Sequence, residues 1–359
     1  MNNRLLLALA SISIGAIVVA CGGGGGGGGG GSSTSNTQTP ITNTSSTYTA
    51  SASVGEVLQF TLDKSTSPAS YSYTIIKSSY GLLNTKRSGT LKLNNDGSFT
   101  PSESPLSKIY SLPNGLLIGA IKLPIPGRGD ISVPIIGITA PVTTLNSLSG
   151  TYNYISSTKF QANNNVTDYG TLKIDSDGKY FTCTQVNIAT SSNCYSSSGS
   201  EGTIGSQVGG LWEYKRSGSS KINTLLAFTA PNGEKILIID FDDNETNGYG
   251  LGQAIASVQP AAPYTANSAN GTWITNTNFE YTETVVIAGN TFVDNYVADR
   301  NGNPGRTSGS LIFDSPWKGF TATTDGISSG VAMFAGAGVY VFRSNSNFPA
   351  YYQVGIRVD

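Results

Sequence analysis

The chain has 359 residues, of which 38% are hydrophobic and only 12% are charged. It contains no histidine, which excludes Ser-His-Asp and Cys-His nucleophiles, His-ligated metal sites and imidazole acid–base catalysis. The net charge of −1 excludes a general basic surface for nucleic acid. Enrichment in Ser, Thr, Asn and Gly favours short strands and turns over helices.

Residues 1–20 have the pattern of a secretory signal peptide. Arg4 places a positive charge near the N-terminus, and residues 5–20 carry no charge. This run is shorter than the about 20 residues that a transmembrane helix needs, and it suits the hydrophobic region of a signal peptide. We therefore predict residues 1–20 to be a signal peptide.

The signal ends in Val18-Val19-Ala20-Cys21, which resembles the lipobox of bacterial lipoproteins. The resemblance implies that the Cys21 thiol carries a diacylglycerol, that the signal is cleaved before it, and that the new N-terminus is acylated, for example with palmitate. Two or three acyl chains are enough for stable membrane anchoring. Gly22 follows the cysteine in place of Asp, which by the family's sorting rule implies the outer membrane.

A tether follows the lipid anchor. Residues 22–31 are all glycine, and residues 32–47 are almost wholly Ser, Thr, Asn and Gln. Such a segment cannot bury an apolar face, so we predict residues 21–48 to be a disordered tether with a root-mean-square span of about 30 Å. The polyglycine run resembles the tethers of surface-exposed lipoproteins such as the transferrin-binding protein B group.

A motif recurs three times in the remaining chain. It reads GTLKLNNDGSFT from Gly89, GTLKIDSDGKYF from Gly170 and GSLIFDSPWKGFTAT from Gly309. Apolar and polar residues alternate as in a strand, and Asp-Gly in the first two copies supplies a tight turn. Pro316-Trp317 replaces this turn in the third copy, so its turn must differ.

The repeat divides the chain into three predicted units, 49–148, 149–268 and 269–359. Further alternating segments indicate strands, and no amphipathic helix follows the signal. We therefore predict an all-β protein of three tandem antiparallel meanders, each closed as a small barrel or folded as a sandwich.

The repeat also predicts which side chains face inward. Leu91, Leu172 and Leu311 are expected to be equivalent core residues at the same place in each unit, while Lys92 and Lys173 face water.

Ile312 stands where the other copies have lysine. We therefore expect that face of the third unit to be covered, by a neighbouring unit or by the insertion between Trp273 and Gly309.

The third unit opens with Gly271-Thr272-Trp273, which resembles the G-x-W of the first strand of lipocalins. The resemblance implies a calycin-like barrel. Trp273 is then either a plug in the barrel core or part of a ligand mouth.

Cys183 and Cys194 are the two cysteines beyond the anchor. Export places them in a disulfide-permissive compartment, and their spacing suits a bridge across a hairpin. We predict this disulfide, the alternative being two unrelated buried thiols. Two cysteines without histidine do not make a zinc site.

The densest acidic cluster contains Asp240, Asp242 and Asn244, whose spacing resembles the start of a calcium loop. It departs from that pattern, because Glu245 stands at the sixth position and Leu251 at the twelfth. The alternative interpretation is a solvated hairpin end, and we assign no metal.

An Arg128-Gly129-Asp130 triplet is flanked by Pro126 and Gly127, which indicate a loop. It is a candidate adhesion loop, and the alternative is an ordinary polar turn.

These observations favour a lipid-anchored outer-membrane or surface lipoprotein that binds an unknown protein or glycan ligand, without a cofactor, nucleic acid or catalysis. Two alternatives are a passive structural spacer of the envelope and an adhesin using the Arg128-Gly129-Asp130 loop. A carboxylate-based hydrolase of envelope glycans is a further alternative. It needs two carboxylates roughly 5–10 Å apart, and only residues 240–245 offer candidates.

Overall fold

The structure is a computed structural model that describes residues 44–159, 165–184, 195, 200–230, 232–243, 250–277, 282–296, 304–325, 329–336, 338–345 and 351–359. Within these ranges the fold is all-β with no α-helix, as predicted. None of the described segments forms a helix of the length and apolarity needed to span a membrane. The signal peptide, Cys21 and most of the tether lie outside the described residues.

The first sheet, barrel 1, is antiparallel and nearly closed. Its strands are β1 (Ser45–Ala52), β2 (Glu56–Asp63), β3 (Ala69–Ser78), β4 (Lys86–Leu93), β5 (Phe99–Pro101), β6 (Tyr110–Ser111), β7 (Leu116–Ile125) and β8 (Gly129–Ile138). Their spatial order is β5-β4-β3-β2-β1-β8-β7-β6. Two backbone hydrogen bonds between Phe99 and Ile109, of 2.9 and 2.7 Å, bridge the seam beside β5 and β6.

The second sheet, barrel 2, is a closed antiparallel meander. Its strands are β9 (Gly150–Lys159), β10 (Asn165–Ile174), β11 (Lys179–Thr184), β12 (Gly202–Val208), β13 (Leu211–Arg216), β14 (Asn223–Thr229), β15 (Lys235–Asp243) and β16 (Gly250–Val258). Pairing of β16 with β9 closes it.

The third sheet, barrel 3, closes in the same way by pairing of its first and last strands. Its strands are β17 (Gly271–Thr277), β18 (Thr282–Ala288), β19 (Thr291–Tyr296), β20 (Gly305–Phe313), β21 (Thr321–Thr324), β22 (Ser329–Ala335), β23 (Val339–Ser344) and β24 (Tyr352–Arg357). The units are therefore barrels rather than sandwiches.

Strand β1 begins inside the segment that the sequence assigned to the tether. Residues Ser45 to Tyr48 pair with Phe60 to Asp63 of β2, and Tyr48 is buried in the interior of barrel 1. The tether prediction was wrong at this end because cross-strand pairing, which composition does not report, orders these polar residues.

The three barrels pack against one another through their outer faces. Residues 42–359 group into one compact unit. Its shared core consists of outward-facing apolar side chains from all three barrels, including Leu116, Ile136, Leu226, Phe228, Ile238, Phe320, Met333 and Val354. Burial of this surface stabilises the contact between the barrels, at roughly 25 cal/mol per Å² of apolar area.

The three repeat leucines are confirmed as inward-facing core residues. Leu91, Leu172 and Leu311 are all buried, whereas Lys92 is exposed and Lys173 is partly exposed. Their hairpins do not all occupy the same place, however. The motif forms the fourth and fifth strands of barrels 1 and 3, but the second and third strands of barrel 2.

The expected cover over Ile312 is absent, since its side chain is 59% exposed. The insertion that was expected to cover it instead forms the hairpin β18–β19. Because this hairpin joins the barrel wall and pairs with β20 edge to edge, it cannot also lie over the outer face of β20.

The first glycine of the repeat has a common role in all three barrels. Tyr71, Tyr154 and Phe292 stand directly opposite the repeat glycines on the neighbouring strands. A Cβ added at Gly89, Gly170 or Gly309 would meet the Cε1 atom of the facing ring at 2.6, 2.9 and 2.6 Å. The aromatic ring therefore covers the glycine, a device that fixes strand register.

Candidate functional site

One end of barrel 2 encloses a cavity of about 250 Å³. Side chains alternate along each strand, so every second residue points into the barrel. The lining residues are Tyr154, Ser156, Thr158, Val166, Asp168, Leu172, Thr182, Thr184, Glu201, Tyr214, Arg216, Ile239, Phe241 and Ala254. Many of them are small, which is why the interior is not filled at this level.

The opposite end of barrel 2 is plugged. Trp212 Nε1 donates to the carbonyl oxygen of Val142 at 2.9 Å, and Tyr152 Oη donates to that of Leu148 at 2.7 Å. In barrel 3, Trp273 Nε1 donates in the same way to Ala269 at 2.9 Å. Trp273 is buried, so of the two roles predicted for it the structure selects the core plug.

The aromatic wall of the cavity is held in place by ring packing. Tyr214 stacks on Tyr180 with centroids 4.2 Å apart and meets Phe241 edge-on at 6.4 Å. Tyr154 lies over Gly170. Burial raises the pKa of Tyr154 well above its usual value, so its phenol is neutral and can donate a hydrogen bond.

Two of the three charged groups in the cavity neutralise each other. Arg216 Nε lies 3.7 Å from Glu201 Oε1, and Thr182 Oγ1 donates a hydrogen bond to Glu201 Oε2. The carboxylate of Glu201 is therefore already compensated by protein groups.

Asp168 is the second carboxylate of the cavity. It accepts a hydrogen bond of 2.8 Å from the backbone N–H of Tyr169, and no other described residue bonds to its carboxyl group. Burial raises the pKa of Asp168, against the opposing effects of the Tyr169 hydrogen bond and the Arg343 charge. The cavity thus combines aromatic walls with one carboxylate that has little protein compensation.

Barrel 3 holds a second polar site that the sequence analysis missed. The inward-facing Glu283 accepts hydrogen bonds from Tyr351 Oη at 2.5 Å and from Gln353 Nε2. Burial, followed by the neighbouring Asp294, raises the pKa of Glu283, and burial raises that of Asp294. The adjoining cavity is only about 50 Å³. Glu283 lies on the same face of β18 as Val285 and Ile287. A charged residue in an otherwise apolar alternating pattern is the feature of the sequence that could have revealed this site.

The acidic cluster predicted as a solvated hairpin end is in fact partly buried. Asp240 has no exposed surface and faces barrel 1, where Ser51 Oγ donates to its Oδ2 at 2.8 Å. Asp242 lies on the same strand, and Asn244 is outside the described residues. The prediction was wrong for Asp240 because packing between barrels covers that face of β15. Within the described ranges, no group of three or more Asp, Glu or Cys side chains could hold a metal ion.

The Arg128-Gly129-Asp130 triplet lies at the exposed tip of the β7–β8 hairpin. Arg87 of β4 holds the Asp130 carboxylate through two hydrogen bonds of 2.8 Å each. Both carboxylate oxygens therefore have a partner within the protein, and of the two charged side chains Arg128 is the more available.

Of the two cysteines of the predicted disulfide, only Cys183 is among the described residues. Cys183 is buried on β11, opposite Thr171 of β10. Cys194 and Cys21 both lie outside the described residues, so the disulfide and the lipidation stay predictions.

No family model and no curated protein sequence matches the chain. Among solved structures, a transferrin-binding protein B double mutant from Haemophilus parasuis Hp5 has 12% identity and a TM-score of 0.26 over 84% of this chain. This chain spans 65% of that protein's length. The isotype 1 transferrin-binding protein B of serogroup B Neisseria meningitidis has 12% identity and a TM-score of 0.18, covering 84% of this chain and 66% of its own.

A protein of the DUF3598 family from Nostoc punctiforme PCC 73102 has 10% identity and a TM-score of 0.18, covering 87% of this chain and 94% of its own. At these TM-scores the likenesses establish neither a shared fold nor a shared function.

Proposed function

We propose that the protein is a lipid-anchored lipoprotein of the outer membrane that binds a small ligand in the lumen of barrel 2 and does not catalyse a reaction. The observation that carries this proposal is the cavity of about 250 Å³, whose lining combines aromatic and aliphatic side chains with hydroxyl groups and three charged residues. Ligand sites in proteins commonly combine these features. By contrast, tightly packed apolar side chains such as Phe60, Tyr73 and Ile75 fill the interior of barrel 1.

The alternatives fit the geometry less well. A glycan hydrolase built on Asp240 would need that carboxylate in a cleft, but it is buried between two barrels. An adhesin would need the Asp130 carboxylate to leave Arg87. A passive spacer of separate units does not account for the shared core that joins the barrels.

The membrane anchor rests on the sequence. The lipobox at Cys21 and the polyglycine run after it support attachment to the outer membrane with the barrels held away from it. The barrels would then be positioned to meet ligands in the surrounding medium.

The binding site is tested with 1-aminoanthracene, an uncharged aromatic probe whose fluorescence rises in apolar sites. We expect saturable binding by the wild-type protein. Thr184 and Ala254 both line the cavity. Thr184→Trp and Ala254→Phe should each weaken binding at least tenfold by occupying the space. Thr203→Trp, on the exposed outer face of β12, is the matched control and should bind as the wild type does. Unchanged binding by both cavity variants would refute the site.

A further inference from the structure

The charges in the barrel 2 cavity do not balance. Glu201 is compensated by Arg216 and Thr182, while the Asp168 carboxyl is bonded, among described residues, only by the Tyr169 amide. The buried cation Arg343 also acts on Asp168 electrostatically. Residues 149–268 also carry ten Asp and Glu against seven Lys and Arg, so acidic residues are in excess in this part of the chain.

Asp168 lies beside an aromatic ring. Ser156 of β9 stands directly opposite Asp168, and Tyr154 stands opposite Gly170, two residues further along β10. A group bound at the carboxylate would therefore be close to the Tyr154 ring. A carboxylate next to an aromatic face is the arrangement that binds ammonium groups, through a charge-assisted hydrogen bond and a cation–π contact.

The rest of the lining is apolar at depth. Leu172, Ile239 and Ala254 all face the cavity and are buried. A ligand with an ammonium group at Asp168 would place an apolar body against these three side chains. A carboxylate ligand would instead have to displace Glu201 from Arg216, which would leave Glu201 without its cation.

We infer that the ligand of barrel 2 is a small organic cation, a protonated amine with an apolar body, whose ammonium group is bound by Asp168 and Tyr154. This inference rests on the proposed function, since it specifies the ligand class of the same cavity.

The test uses three compounds of one shape: 2-phenylethylamine, 2-phenylethanol and phenylacetate, which differ in charge. Each competes with 1-aminoanthracene at pH 7.5. We expect the amine to bind at least tenfold more tightly than the alcohol, and the carboxylate to be weaker than both. Burial raises the pKa of Asp168 above that of an exposed aspartate, against the opposing effects of the Tyr169 amide and the Arg343 charge. Lowering the pH should therefore weaken binding of the amine progressively, because protonation removes the charge of Asp168, and should leave binding of the alcohol unchanged.

Asp168→Asn should lower the affinity for the amine at least tenfold and leave the affinity for the alcohol within twofold. Glu213→Gln, an acidic residue on the exposed outer face of β13, is the matched control and should leave both unchanged. Equal binding of alcohol and amine, or an Asp168→Asn variant that keeps its preference, would overturn the inference. So would failure of all three compounds to displace a bound probe. Failure of the probe itself to bind would instead refute the proposed function.

Discussion

At the scale of single residues, the repeat glycines show how tightly the barrel walls are built. A Cβ at Gly170 would lie 2.2 Å from the carbonyl oxygen of Cys183 and 2.9 Å from the ring of Tyr154. Backbone at such a distance cannot move aside without disturbing the β10–β11 pairing. The glycine is thus required by close approach, and its backbone needs no left-handed conformation.

Gly170→Ala should therefore destabilise the protein by about 1–3 kcal/mol, the usual cost of overpacking. The measurement is the free energy of unfolding in urea. Gly205→Ala is the control, because its Cβ would first meet the flexible end of Glu213 at 3.1 Å. It should stay within about 0.5 kcal/mol of the wild type. Equal effects of the two substitutions would contradict this role for Gly170.

Asp240 is the second residue with a distinctive environment. Ser51 donates to its Oδ2, and Gln253 Nε2 donates to the same Ser51 hydroxyl at 2.9 Å. Burial raises the pKa of Asp240 to about 8, partly opposed by the Ser51 hydrogen bond and the Lys77 charge. Glu56 and Asp242 are the other charged groups that act on it, and both raise its pKa.

The folded protein therefore holds a proton on Asp240 that the unfolded chain releases near pH 4. The contribution of Asp240 to stability is complete below that pH and is lost as the pH rises towards about 8. Asp240→Asn should remove this loss. The free energy of unfolding in urea should then change less between pH 5 and pH 8 in the variant than in the wild type, by at least about 1 kcal/mol.

Asp175→Asn, a substitution at a partly exposed carboxylate, should keep the pH dependence of the wild type. An Asp240→Asn variant as pH-sensitive as the wild type would show that other groups dominate in this range.

At the scale of elements, the repeat hairpin shows which predictions local sequence supports. The alternation around Leu172 is a property of adjacent residues, so the inward leucine and outward lysine follow from the pattern alone. The place of each hairpin in its barrel depends on how many strands pair before it. That number is set by contacts between residues far apart in the chain, which the residues of the motif do not indicate.

Leu172→Ala should cost about 2–5 kcal/mol because it removes a fully buried side chain from the interior of barrel 2. Lys173→Ala, one residue further along the strand, should stay within about 0.5 kcal/mol. Urea unfolding of both variants checks the pair. Similar losses in the two would contradict the inward and outward assignment.

The cavity could not be predicted from the sequence for a related reason. It exists because small side chains such as Ser156, Thr182 and Ala254 meet at one level of barrel 2. Each is unremarkable on its own strand, and only the register of the strands brings them together. The compensation of Glu201 by Arg216 likewise depends on that register.

At the scale of the whole molecule, the barrels share one apolar core. The predicted anchor at Cys21 and most of the predicted tether lie outside the described residues. Composition and alternation predicted three β-units, but not how the units pack. The apolar residues on the outer faces of β14 and β15 indicate that these strands are buried, but they do not indicate which part of the chain covers them. The contact partners of such strands are not encoded locally.

Cys21→Ser tests the anchor at this scale. If Cys21 carries the lipid, the variant should leave the membrane fraction or retain its signal peptide, and should lose labelling by a fatty-acid probe. Cys183→Ser is the control and should remain membrane-bound and labelled. Unchanged fractionation of Cys21→Ser, with no labelling of the wild type, would refute the lipoprotein assignment.

Together, the two proposals make the lumen of barrel 2 the binding site of a small organic cation. The most direct measurement is a crystal structure of the protein soaked with 2-phenylethylamine. We expect electron density for the compound inside barrel 2, with its nitrogen within hydrogen-bonding distance of the Asp168 carboxylate and its ring against Leu172 and Ile239. An empty lumen under saturating amine, or a lumen closed by collapsed side chains, would contradict it.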